Sequence, residues 1–193
     1  MSSTLFSNRN LSLMAVGIAI NMTGGQLVSL LNLPFLFLDS VGSLIVALLA
    51  GPWAALATGL TTNLLWGLIS GPIAAAFAPV AGVIGLVAGI CAQRGGFQSL
   101  PKVLLSALAI TIALTLVAAP IRGYLFGGAT GSGTDLVVAY LTAVSDSLLQ
   151  SVAITVVGAN LVDKTLSALL AWQLVRRLPK RTRQQFPDAA AVE

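Results

Sequence analysis

Charge is nearly absent from the middle of this chain. Across the 166 residues from Asn10 to Val175, only eight side chains are formally charged: Asp39, Arg94, Lys102, Arg122, Asp135, Asp146, Asp163 and Lys164. A water-soluble domain carries charge on roughly a quarter of its residues, so this stretch is built for another solvent, the hydrocarbon of a bilayer. No water is available there to satisfy backbone polar groups, which restricts the chain to structures that satisfy them internally. The expectation is an all-α, polytopic membrane protein. Each ionisable residue that survives in such a setting is costly, so these eight are where function is sought first.

Composition agrees, with 56% hydrophobic and 8% charged residues over a length of 193, and one bilayer-embedded domain is expected. The net charge of +4 does not point to nucleic acid, because five of the ten basic residues form one run after an apolar helix: Arg176, Arg177, Lys180, Arg181 and Arg183. That is a cytoplasmic anchor under the positive-inside rule. Cys91 is the sole cysteine and there is no histidine, which excludes an internal disulfide, a Cys-rich metal site, His-based triads and the zinc-protease motif. Walker A, paired catalytic carboxylates and the hydrolase elbow are also absent. With no nucleophile beside an activating base, no enzyme activity, cofactor or metal is expected, and any energy source must come from elsewhere. The N-terminus is short and polar with Arg9, and no small-residue cleavage site follows it, so no removed signal peptide is expected.

Apolar runs of about 20 residues span the hydrocarbon core, and six crossings are predicted. The first covers 11–31, a connector with Pro34 covers 32–37, and a short second helix covers 38–50. Gly51-Pro52-Trp53 reverses the chain, because proline cannot continue a helix but starts one well. The third helix covers 53–69, a loop at Ser70, Gly71 and Pro72 leads through an Ala-rich stretch to Pro79, and the fourth helix ends near Ala92. A polar segment, 93–102, precedes a fifth helix at 103–119 and a Gly-rich loop at 120–133. The next 42 residues leave two readings open. Either a helix over 134–158 lies on or dips into the outer half before a last crossing at 160–178, or both pieces span. Charge placement favours an even number of crossings, six, with an extra outer-side helical segment before the last. The domain plan is a cytoplasmic N-terminus at 1–10, a single transmembrane domain at 11–178 and a cytoplasmic, basic, disordered tail at 179–193, in the cell (inner) membrane. Loops 32–37, 70–78 and 120–133 then face outward, and Asp163 and Lys164 fall in the outer part of the last helix.

Two constellations stand out. Ala15 and Ala19 lie one turn apart on one face of the first helix, where small residues allow close helix approach, either inside the bundle or to another protein. The other is a polar set at similar depth: Gln26, Asp39, Asn63, Trp66, Arg122, Tyr124, Asp146, Gln150, Asn160, Asp163 and Lys164. These residues could converge on a pocket for a polar small molecule, with Trp66 and Tyr124 as stacking surfaces. Duller roles stand beside that one. Asp39 suits an N-cap, Trp66 and Tyr124 suit an interface belt, and Asp163 and Lys164, about 100° apart on a helix, suit partners on other segments. Asn21, at mid-depth, is expected to bond another helix, Gly82, Gly85 and Gly89 to form an internal packing face, and Cys91 to be an inert buried thiol.

The chain resembles the substrate-binding S components of energy-coupling factor (ECF) transporters, small six-helix proteins that capture vitamins and other micronutrients. The likeness is carried by the Ala15–Ala19 pair, by Phe37-Leu38-Asp39-Ser40-Val41-Gly42, by Gly51-Pro52-Trp53 followed by Gly59 and Thr62-Asn63, and by Leu161-Val162-Asp163-Lys164 before a basic tail. It implies that Ala15 and Ala19 pack on a transmembrane coupling protein joined to two cytoplasmic ATPases, and that a vitamin-like ligand is enclosed under loops one, three and five. Gly127 to Gly133 and the segment Asp146 to Gln150 are longer than that plan requires. A structural subunit of a membrane complex, binding no small molecule, is the alternative, and the outer polar set is what it would have no use for.

Overall fold

The computed structural model describes residues 7–31, 33, 35–145, 147–186 and 189; most of these are helical, and no strand occurs among them. The elements are α1 (Asn8–Leu31), α2 (Val41–Ser70), α3 (Pro72–Ala76), α4 (Ala78–Gln93), α5 (Leu100–Pro120), a π-helical turn (Ile121–Leu125), α6 (Asp135–Ser145), α7 (Leu148–Arg177) and α8 (Lys180–Arg183). Four stretches are long and apolar enough to cross a bilayer: Asn8–Leu31, Val41–Ser70, Leu100–Leu125 and Leu148–Arg177. At 16 and 11 residues, α4 and α6 are shorter than that.

The second of these stretches is folded on itself. Gly51 adopts φ 83°, ψ −178°, a conformation open to glycine, and Pro52 follows it. The amide of Asn21 donates to both Ser43 Oγ at 2.8 Å and Thr62 Oγ1 at 3.2 Å. In a straight helix those two hydroxyls would be about 28 Å apart, so 41–50 and 52–70 are antiparallel arms, as the Gly-Pro-Trp turn predicts. The first arm is only about 15 Å long.

Glycines set how closely the helices meet. A Cβ on Gly42 would collide with the carbonyl oxygen of Gly17, one on Gly59 with that of Ala81, one on Gly85 with that of Ala55, and one on Gly89 with the backbone of Pro52. Backbone therefore touches backbone along α1 and α2 and along α2 and α4, the contact small residues permit in lipid. Asn21 closes the first of these seams. Its Oδ1 accepts from the backbone N–H of Gly42 at 2.8 Å and of Ser43 at 3.2 Å, two donors of the first turn of α2 that have no partner in their own helix. The sequence leaves Asp39 either as the cap of this helix or as a ligand contact, and the structure does not use it as the cap. The helix instead begins one residue after Ser40, which makes no side-chain cap bond, and an amide on a neighbouring helix does the capping.

Downstream, two boundaries differ from the sequence reading. The fifth helix does not stop before Pro120. That residue withholds one i→i−4 donor, and the chain continues as a π turn through Leu125, carrying Arg122 on a helix rather than in a loop. The break in the last 42 residues falls before Ser147, which caps α7, and not near Asn160. Asp163 and Lys164 consequently sit near the middle of a 30-residue helix instead of in the outer part of a short one. Asp146, Asn32 and Pro34 lie outside the described residues.

The ends of the bundle are unlike. Gly123 meets Leu149 and Thr111 Oγ1 reaches the carbonyl of Asn160 at 3.4 Å, so α5 and α7 are antiparallel and the C-terminus of α7 lies by the start of α5. Arg9, Arg94, Lys102, Arg176, Arg177, Lys180, Arg181 and Arg183 all fall at that end, beside the Gly51 turn. Arg122 is at the other, and Lys164 lies between them, midway along α7.

The glycine seam makes a paired prediction. Gly42→Ala should lower the stability of the purified protein by about 2 kcal/mol, because backbone cannot yield to the added methyl. Gly158→Ala, at a helical site with open space around it, should be neutral or up to about 1 kcal/mol stabilising. Thermal unfolding of the two variants in the same detergent checks both.

Candidate functional site: a cavity under three loops

A cavity of about 490 Å³ opens at the end away from the basic residues. Its walls come from three non-adjacent loop regions: the connector with Leu33, Phe35 to Phe37 and Asp39, the α2–α3 corner with Ser70 and Ile73, and the loop Thr130 to Thr134. These are parts of the three loops that charge placement grouped together. Helices supply the floor, with Val28 of α1, Val80 and Ile84 of α4, Leu114 and Ala118 of α5 and Val156 of α7. Volume and mixed lining suit a small-molecule site.

Lys164 organises one side. Its side chain is 1% exposed, and its three ammonium hydrogens have three acceptors: Asp163 Oδ2 at 2.5 Å, Ser40 Oγ at 2.9 Å and Asp39 Oδ1 at 3.1 Å. Asp163 is fully buried, and its second oxygen accepts from the backbone N–H groups of Phe37 and Leu38, each at 2.8 Å. One carboxylate thus holds both the lysine and the connector. That hold is needed, because Phe35 (φ 62°) and Leu38 (φ 50°) are left-handed, a conformation that costs a bulky residue about 1–3 kcal/mol. Adjacent positions on α7 did not require Asp163 and Lys164 to pair; the structure shows that they do, while also bonding the connector.

Arg122 organises the opposite side. It is 5% exposed; Nε donates to the Gly128 carbonyl at 2.9 Å, one Nη to Thr134 Oγ1 at 2.8 Å and the other to Asp135 Oδ1 at 2.7 Å. Asp135 in turn accepts from the N–H groups of Thr130 at 3.0 Å and Gly131 at 2.7 Å. The Gly-rich loop is therefore wrapped around an ion pair, and Phe126 stacks on Phe77 with ring centres 6.1 Å apart, closing the loop against α4.

Of the polar set read from sequence, Asp39, Asn63, Trp66, Arg122, Asn160 and Lys164 line this one cavity. Asn63 also donates to the Ala74 carbonyl at 3.2 Å, pinning α3, and the Trp66 ring lies against Gly25. Asp163 acts from behind the wall. Gln26, Tyr124 and Gln150 are exposed and do not line the cavity, Tyr124 being 76% exposed. Asp146 lies outside the described residues. Sequence reasoning missed Ser40, Phe37, Phe77 and Thr134 as lining, and Asp135 as the partner of Arg122; opposite charges flanking a Gly-rich loop were the available signal for the last. On α1, Gly17 and Asn21 face α2 while Ala15 and Ala19 are exposed, so the alanine pair is not used inside the bundle.

Removing the shared carboxylate should release the connector. Asp163→Ala leaves a buried ammonium short of one partner and two N–H groups with none, and should cost about 3–5 kcal/mol of stability. Asp163→Asn keeps an acceptor for the connector and should cost less. Melting temperatures and protease cleavage between residues 33 and 40 check the order.

No protein-family model, curated protein or solved structure matches this chain.

Proposed function

We propose that this chain is the substrate-capturing subunit of an ECF-type importer: it binds a vitamin-like micronutrient and passes it inward with a transmembrane coupling protein and two cytoplasmic ATPases. The observation that carries the reading is the cavity itself, roofed by three separate loops and holding Lys164 and Arg122, the two basic residues that are not at the other end of the bundle. A subunit with only a structural role gains nothing from buried charge around an open volume, since each such group is expensive in a bilayer.

In this reading the six helical passes are α1, the two arms of α2, α4, α5 and α7, the first arm of α2 and the 16-residue α4 being shorter than the hydrocarbon core and packed among the longer helices, with α6 as an additional segment beside the cavity mouth. The eight basic residues at the far end mark it as cytoplasmic under the positive-inside rule, with both termini there and the cavity opening outward. The membrane is the cell (inner) membrane. The protein needs no catalytic group, cofactor or metal for this task.

The coupling contact is assigned to Ala15 and Ala19. α1 is the least buried of the four long apolar stretches, and its exposed alanines allow another helix to approach closely. The resemblance to S components supplies the partner; the exposure of both methyl groups is what favours docking over internal packing.

The first test is mass spectrometry of small molecules released from the purified protein. A single dominant compound, lost in Trp66→Ala, is expected; none in repeated preparations would favour the structural subunit. The second test separates binding from transport. Ala15→Leu and Ala19→Leu should retain the compound but abolish its uptake by cells, and normal uptake in both would remove the coupling assignment.

A further inference from the structure

The cavity's charged groups are not equally available. All three hydrogens of the Lys164 ammonium are taken by Asp163, Asp39 and Ser40. Two nitrogens of Arg122 donate to the Gly-rich loop, at Gly128 and Thr134, and the third donates to Asp135, which balances its charge. Asp163 is fully buried, with both oxygens engaged by Lys164 and the connector. Asp39 differs. Its side chain is 41% exposed, it lines the cavity, and among the described residues its one hydrogen-bond contact is Oδ1 with Lys164.

Summing the charges gives a direction. Asp39 and Asp163 against Lys164 leave one negative charge, and Arg122 with Asp135 leaves none. The surplus resides where solvent or a ligand can reach it, at Asp39. Trp66, Phe37 and Phe77 line the same volume and offer aromatic faces, which attract cations and planar rings. An anion would meet a like charge at Asp39, and would find the Lys164 ammonium fully used and the Arg122 charge already neutralised by Asp135.

We propose that Asp39 is the specificity-determining residue of this cavity, and that its ligand is an aromatic or heteroaromatic compound bearing a cationic or N–H donor nitrogen, with carboxylates and phosphates excluded. This rests on the solute-capture reading above and narrows it to a chemical class.

The test uses three probes of one shape and different charge: benzamidinium, benzamide and benzoate. Calorimetry on the full chain in nanodiscs should rank them in that order, with benzamidinium at least about tenfold tighter than benzamide, the margin of one charged hydrogen bond. In Asp39→Asn that ratio should fall to about one, and Asp39→Glu should restore it. A wild-type preference for benzoate, or an Asp39→Asn variant that still prefers benzamidinium tenfold, overturns the proposal. The wild-type order decides the matter even if Asp39→Asn does not fold. Benzoate binding best would leave solute capture standing and remove only the charge class; failure of all three probes at millimolar concentration, in protein that also releases no small molecule, would remove both.

Discussion

A lysine with no access to water holds the functional end of this bundle together. An ammonium in low dielectric is tolerated only when its charge and all its hydrogens are matched, and around Lys164 the matching groups come from two places in the chain: Asp163 beside it on α7, and Asp39 with Ser40 at the end of the connector. Satisfying the lysine therefore brings the segment before α2 onto the middle of α7. Asp163 strengthens the same attachment through Phe37 and Leu38, offsetting the left-handed backbone on either side of Phe37. The cavity wall follows from a charge-balance requirement.

That attachment works because the rest of the bundle is drawn tight. Gly17 with Gly42, and Gly59, Gly85 and Gly89 with their neighbours, let backbones touch, and the Gly51 turn doubles α2 back so that both of its arms meet Asn21. With the arms antiparallel, the start and the end of α2 lie at the same end of the molecule. The connector, the α2–α3 corner and the Gly-rich loop consequently share one rim. Arg122 is brought there by a π turn beyond a proline that would ordinarily end the helix, and its ion pair with Asp135 gives the loop a fixed shape. Packing of small residues and pairing of rare charges thus divide the work. The first sets how near the helices come, and the second sets what is left open between them.

Function, as proposed, uses the two ends differently. Eight of the ten basic residues gather at one end and the cavity lies at the other, while α1 turns Gly17 and Asn21 inward and leaves Ala15 and Ala19 uncovered. A solute site, an orientation signal and a small-residue docking face are then separate features of one bundle. Each can be altered without dismantling the others.

Some of this was legible in the residues alone. The shortage of charge points to a bilayer, and continuous apolar runs of about 20 residues, rather than the short alternating segments of a barrel, point to helices, while Gly51-Pro52 dictates a reversal because one residue accepts the backbone angle and the next cannot propagate the preceding helix. Both are local consequences of residue chemistry, as is the rarity that marks Asp39, Arg122, Asp163 and Lys164 for attention. Partner choice is not local. Which amide caps α2, whether Asp163 pairs with its neighbour, that Asp135 balances Arg122, and that Gln26, Tyr124 and Gln150 stay outside the cavity all depend on distances between segments far apart in the chain. Those distances come from the glycine contacts and the lysine cluster acting together, so only the folded bundle decides which of the scarce polar groups are consumed and that Asp39 is left facing the open volume.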